Sequence, residues 1–71
     1  MNNSIYEIDK KGNKFWCNSK GEYHREDGPA VECVNGTKIW YINGKLHRLD
    51  EPAIEYFNDD KFWYINGKRC R

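Results

Sequence analysis

No apolar run in this chain approaches the roughly 18 residues that a membrane-spanning helix needs. The opening residues, Met-Asn-Asn-Ser-Ile-Tyr-Glu, have neither the basic start nor the apolar stretch of a secretory leader. A membrane span and secretion are therefore not expected. Cysteine is scarce: Cys17, Cys33 and Cys70 are odd in number and lack C-x-x-C spacing. That argues against a disulfide framework and for a reducing compartment, so the expected location is cytoplasmic. Net charge is nearly absent, because twelve Lys plus Arg against eleven Asp plus Glu leave +1. Neither a strongly basic nucleic-acid binder nor an acidic mimic of DNA is indicated. Length is short as well, and 71 residues of which 38% are hydrophobic make one small domain with a thin core and no large enzymatic cleft. Helix-length segments are missing too. No stretch escapes Gly, Pro, Asn and Asp for the ~10 residues a helix requires, and the one before Asn66 is aromatic and β-branched.

What is present is aromatic surface and repetition. Three Trp, five Tyr and three Phe offset the shortness of the chain, since each can bury on the order of 150–250 Å². Lys11-Gly12-Asn13-Lys14-Phe15-Trp16 recurs as Asn35-Gly36-Thr37-Lys38-Ile39-Trp40 and again as Asn58-Asp59-Asp60-Lys61-Phe62-Trp63. The Trp residues are 24 and then 23 positions apart, and the extra residue lies in the turn Ser19-Lys20-Gly21, opposite Asn43-Gly44 and Asn66-Gly67. After the turns come His24-Arg25-x-Asp27 and His47-Arg48-x-Asp50, with Lys68-Arg69-Cys70-Arg71 in the third copy. A fixed period of this kind marks a repeat architecture. The expected organisation is a single β-repeat domain over 1–71: a half-unit at 1–10, repeat one at 11–34, repeat two at 35–57 and a partial repeat three at 58–71. The expected fold is all-β, an antiparallel meander of stacked β-hairpins forming a single twisted sheet.

Turn chemistry predicts the register. Asn-Gly favours a two-residue type I′ turn, and two-residue loops at Asn35-Gly36 and Asn58-Asp59 put Val31 opposite Trp40 and Ile54 opposite Trp63. The loop at Asn43-Gly44 puts Tyr41 opposite Leu46 and Trp40 opposite His47. The row containing the Trp residues is then the main buried face. At the corners, a positive φ at Gly28 predicts strain at its counterpart Glu51, which Glu51→Gly should relieve.

The candidate sites each have a plain structural counterpart. His24, Arg25 and Asp27, like His47, Arg48 and Asp50, could hold an anion. A motif that recurs with the period usually serves the repeat, with Arg pairing a cross-strand Glu, Asp capping the corner and His packing on Trp. His24, His47, Cys70, Cys33 and Cys17 are metal-ligand types, but equivalent positions lie strands apart at ~4.8 Å each, too far for one zinc. No nucleophile–base grouping, phosphate-cradling glycine loop or paired-carboxylate cleft is identifiable, so no catalytic residue, metal or cofactor is expected. Trp16, Trp40, Tyr41, Trp63 and Tyr64, interleaved with Lys14, Lys38, Lys45, Lys61 and Lys68, could stack single-stranded nucleic acid; a core with snorkelling Lys is the simpler account. A protein partner suits the Tyr, Trp and Arg content better.

The unit W-Y-x-N-G-x-x-H-R-x-D-G-P-A, carried by Trp40 to Ala53 and less perfectly by Trp16 to Ala30, resembles the divergent MORN-type repeat of small phage and giant-virus proteins. The resemblance covers about residues 11–71, with departures at Glu51, Asp59 and Cys70. It implies a twisted antiparallel sheet of stacked hairpins, binding rather than catalysis, and a viral accessory protein that binds and inhibits or redirects a host factor in the host cytoplasm. The expected binding residues are Tyr41, Arg48, Phe62, Tyr64, Lys68, Arg69 and Arg71, and the expected structural repeat positions are Trp16, Trp40, Trp63, His24, His47, Asp27 and Asp50. The last short strand, Lys68 to Arg71 beside the aromatic strand Phe62 to Ile65, leaves an open edge. Pairing of two copies through it, or capture of a host protein, are the two expected uses, and a single-stranded nucleic-acid binder is the alternative function.

Overall fold

Positive backbone φ angles punctuate the chain of the computed structural model, which describes residues 5–70. Gly12 (95°), Gly21 (82°), Gly36 (98°) and Asp59 (73°) each close a hairpin, while Asn43 with Gly44 (50° and 80°) and Asn66 with Gly67 (51° and 83°) close two more. Between these turns run β1 (Ile5–Ile8), β2 (Lys14–Cys17), β3 (Val31–Glu32), β4 (Lys38–Ile39), β5 (Tyr41–Ile42), β6 (Lys45–Leu46), β7 (Ile54–Glu55), β8 (Lys61–Phe62), β9 (Tyr64–Ile65) and β10 (Lys68–Arg69). The described residues are all-β and antiparallel: a six-stranded sheet in the order β1-β2-β3-β4-β7-β8, and two hairpins, β5 with β6 and β9 with β10.

Each Trp is the pivot between these two rows. The Trp40 N–H donates to the Ala53 carbonyl (2.7 Å) in the long sheet, whereas its own carbonyl accepts from the His47 N–H (3.1 Å) in the hairpin row. Trp16 repeats this with Ala30 (2.8 Å) and His24 (2.9 Å). The hairpins then bond side by side: the Arg48 N–H donates to the Tyr64 carbonyl (3.1 Å) and the Gly67 N–H to the Leu46 carbonyl (2.7 Å). The result is a slab of 30 × 26 × 15 Å.

The register differs from expectation at one class of turn. At Asn43-Gly44 the type I′ geometry holds, and Tyr41 pairs with Leu46. At Asn35-Gly36, however, Val31 pairs with Ile39, not Trp40, and at Asn58-Asp59 Ile54 pairs with Phe62, not Trp63. The Cys33 N–H donates to the Thr37 carbonyl (2.8 Å) and the Gly36 N–H to the Cys33 carbonyl (3.0 Å). That is a three-residue loop, a type I turn followed by one left-handed residue. Asn35 uses its side chain instead of a positive φ, Oδ1 accepting from the Thr37 N–H at 2.9 Å.

The slip of one residue moves the core. Cross-strand partners share a face, so Phe15, Val31, Ile39, Ile54 and Phe62 form one row, and Lys14, Glu32, Lys38, Glu55 and Lys61 form another on the opposite face. The buried residues are Ala30 and Ala53 (0% exposed), Val31, Ile54, Pro52 and Thr37, while Trp16, Trp40 and Trp63 are half-buried. The Trp row is thus not the main buried face. The corners also differ from expectation. Gly28 is not among the positive-φ residues, whereas Asp50 is (68°). A Cβ on Gly28 would lie 3.0 Å from the Arg25 guanidinium carbon, the far end of a flexible side chain. Glu51 is unstrained and pairs with Arg48 at 2.8 Å, so Glu51→Gly should lower stability, by roughly 0.5–1 kcal/mol, in a thermal melt.

Candidate interaction surface

The His-Arg segments are consumed by the repeat. The Arg48 guanidinium lies 3.7 Å from the Trp40 ring centre, donates from Nη1 to the Pro52 carbonyl (3.1 Å) and pairs with Glu55 (3.0 Å). Arg25 does the same over Trp16 (3.9 Å), with Pro29 (3.1 Å) and Glu32 (3.0 Å). Each Arg thus pairs with a Glu seven residues on, beyond the Pro corner, and packs on a Trp. Each His links units instead: His24 Nδ1 accepts from the Asn43 N–H (2.9 Å) and His47 Nδ1 from the Asn66 N–H (3.1 Å). Such a bond needs a lone pair on Nδ1, hence a neutral ring carrying its proton on Nε2. Asp27 bonds Arg25 Nε (3.1 Å) rather than capping the corner, and at the second corner Glu51 takes the arginine.

Register assembles an aromatic face that no local motif announces. Phe15 stacks on Tyr23 (5.9 Å between centres), Tyr23 leans on Tyr41 (5.3 Å), and Tyr56 meets Phe62 edge-on (5.8 Å). Burial pushes the Tyr41 phenol above its ordinary value near 10, with the Tyr23 and Tyr56 phenols adding to the effect. Burial, and after it the Glu7 carboxylate, pushes the Cys17 thiol above its ordinary value near 9, which keeps it a poor nucleophile. No three His, Cys, Asp or Glu side chains converge as a metal site among the described residues.

The expected binding residues divide. Phe62, Tyr64 and Arg69 come together at the C-terminal edge: Arg69 pairs with Tyr64 across β9 and β10 and lies 4.9 Å from the Phe62 ring centre. Lys68 is exposed beside them. Tyr41 sits half-buried against Tyr23, Arg48 is held by Trp40, Glu51 and Glu55, and Arg71 lies outside the described residues. Tyr23 and Tyr56 were not singled out from the sequence, because only the register places them on the face of Tyr41 and Phe62.

Among the described residues the sheet has two edge strands, β1 and β8, and β8 lacks a neighbour that its equivalents in the earlier units carry. β2 and β4 each carry a strand on both sides, whereas β8, built from the same Lys-aromatic-Trp segment as β2, has β7 alone. Ladder bonds alternate along an antiparallel pair. Because the Tyr56 N–H bonds the Asp60 carbonyl (2.9 Å), the next residue, Lys61, turns its backbone N–H and C=O away from β7. In comparisons with known proteins, no family model, no curated protein and no solved structure matches the chain. The functional reading therefore rests on residues and geometry.

Proposed function

We propose that this chain is a non-enzymatic protein-binding module that takes its partner on the sheet edge at β8 and β10. The observation that carries this is the one-sided pairing of β8, since an unsatisfied edge is a template for strand addition. Lys61, Lys68 and Arg69 line that edge, and cationic side chains discourage indiscriminate pairing while leaving room for a complementary partner. Stacking of single-stranded nucleic acid is disfavoured, because guanidinium groups cover Trp16 and Trp40, and Lys14, Lys38 and Lys61 stand opposite Glu32 and Glu55. The MORN-type resemblance supplies the context: an accessory protein of a phage or giant virus that acts on a host factor in the host cytoplasm. Capture from host lysate, with and without nuclease and at rising salt, tests this reading against Lys61→Pro, a change tolerated on an edge whose N–H faces outward. Retention after nuclease and in high salt, with loss in Lys61→Pro, is expected. Loss on nuclease treatment would contradict it, as phosphate contacts weaken steeply with salt.

A further inference from the structure

We propose that β8 is an address for one kind of strand: an antiparallel segment reading Ala-(Val or Ile)-Glu, preceded by Pro, supplied by another protein. The inference rests on the edge-binding reading and adds the partner's sequence chemistry. The molecule already contains two examples of the docked state. On β2, Val31 lies opposite Phe15, Glu32 opposite Lys14, and the Ala30 carbonyl accepts from the Trp16 N–H (2.8 Å). On β4, Ile54 lies opposite Ile39, Glu55 opposite Lys38, and the Ala53 carbonyl accepts from the Trp40 N–H (2.7 Å). β8 carries the same Lys-apolar receiver, Lys61 and Phe62, in the same register against the strand behind it.

Each position of the incoming strand is defined by what the receiver offers. The residue beside the Trp is 0% exposed in both examples, which leaves room for Ala and little more. The next is buried against an aromatic or aliphatic partner and is β-branched, as suits a pleated surface. The third is an acid across from Lys, an opposite-charge pair of the kind that fixes register. Pro at the start ends the ladder, having no N–H to give.

A second copy of this chain meets these demands less well. Two β8 strands related by a two-fold axis centred on Lys61 or on Phe62 set Lys61 opposite itself or opposite Trp63, supplying neither the acid nor the small residue. β3 and β7, which hold the matching sequences, are already paired on both sides. β1, the other edge of the sheet, presents Glu7 opposite Phe15 and Ile8 opposite Lys14, the reverse of the pattern.

The test is a titration of the isotope-labelled 71-residue chain with a synthetic peptide of the sequence of residues 50–57, followed by backbone amide shifts. Saturable shifts centred on Lys61 and Phe62 are expected, weakened at least fivefold when the peptide's Glu corresponding to Glu55 is replaced by Lys, and restored when that peptide meets Lys61→Glu. As a second measurement, the sequence of residues 49–57 appended directly after Arg71 offers the strand at high effective concentration; it should raise the melting temperature by several degrees and abolish binding of the free peptide. Equal binding of both peptides, no rescue by the charge swap, or an unchanged melting temperature would overturn the proposal. Shifts at Lys61 that grow with chain concentration alone would overturn it in favour of a second copy. If the peptide fails while lysate capture is still lost in Lys61→Pro, the sequence address falls and the edge-binding reading stands.

Discussion

Arg48 shows how much of this fold one side chain carries. It covers Trp40, bonds the Pro52 carbonyl and pairs with both Glu51 and Glu55, so it ties together an aromatic pivot, a corner and a strand. Arg48→Ala should cost about 2–3 kcal/mol in urea unfolding, combining a charge-assisted hydrogen bond with a cation–π contact. Arg48→Lys should recover less than half, since a point ammonium cannot stack and fork at once; full recovery would show that charge alone matters. Asp9 plays a smaller part at the first turn, where its carboxylate accepts from the Lys11 and Asn13 N–H groups and from Asn13 Nδ2, all at 2.9 Å. The Asn13 side-chain bond, with the backbone amides behind it and burial opposing, holds this carboxyl below its ordinary value near 3.8. A depressed carboxylate contributes stability that is complete above that value and lost as pH falls through the folded-state pKa. Amide shifts of Lys11 and Asn13 should therefore stay constant down to about pH 4 and move only below it. Movement centred above that value would contradict the assignment.

Turn chemistry decides the elements, and here the sequence was half legible. Asn43-Gly44 and Asn66-Gly67 could be read directly, because both residues of each pair take positive φ. The same dipeptide at Asn35-Gly36 misled. Its loop is set by contacts between successive turns: the Val34 N–H donates to Asn13 Oδ1 (2.9 Å) and the Phe57 N–H to Thr37 Oγ1 (3.2 Å). No local pattern contains those bonds, and the resulting one-residue slip exchanged Trp40 for Ile39 opposite Val31. The Lys–Glu pairing across strands went with it, since a two-residue loop at Asn35-Gly36 puts Lys38 opposite Cys33 rather than Glu32, whereas the repeat units and their order were legible because the period fixed them. The tyrosine face was not, since Tyr23 and Tyr56 join it only through the true register. The extra residue of repeat one is accounted for, as the Gly21 N–H bonds the Asn18 carbonyl (3.0 Å) in a three-residue loop. Replacing Ser19-Lys20-Gly21 by Asn-Gly should keep Cys17 across from Tyr23 and change stability by less than about 1 kcal/mol. Loss of the nuclear Overhauser contact between those residues would show that the longer loop is required.

As a whole the molecule is one layer, 15 Å thick, whose buried residues are small and whose large aromatics are only half covered. Its stability lies in the contacts between neighbouring units more than in a central core, as in other repeat architectures. The unit boundaries use the same parts: a Pro-Ala strand against a Lys-apolar-Trp strand, and a turn amide on the preceding imidazole. Cys70 stands where His24 and His47 stand in the earlier units, and its Sγ lies 3.6 Å from its own Lys68 carbonyl, so the third hairpin presents a different surface from the first two. The edge at β8 is where the repeating interface meets solvent instead of another unit among the described residues, and the binding account stands on it. Amide hydrogen exchange at Lys38 and Lys61, equivalent residues on β4 and β8, tests that most directly. Lys38, covered by β7, should exchange slowly, and Lys61 at least a hundredfold faster at every chain concentration, slowing toward the Lys38 rate when the residue 50–57 peptide is added. A Lys61 amide protected in the chain alone, or left fast at saturating peptide, would contradict the account.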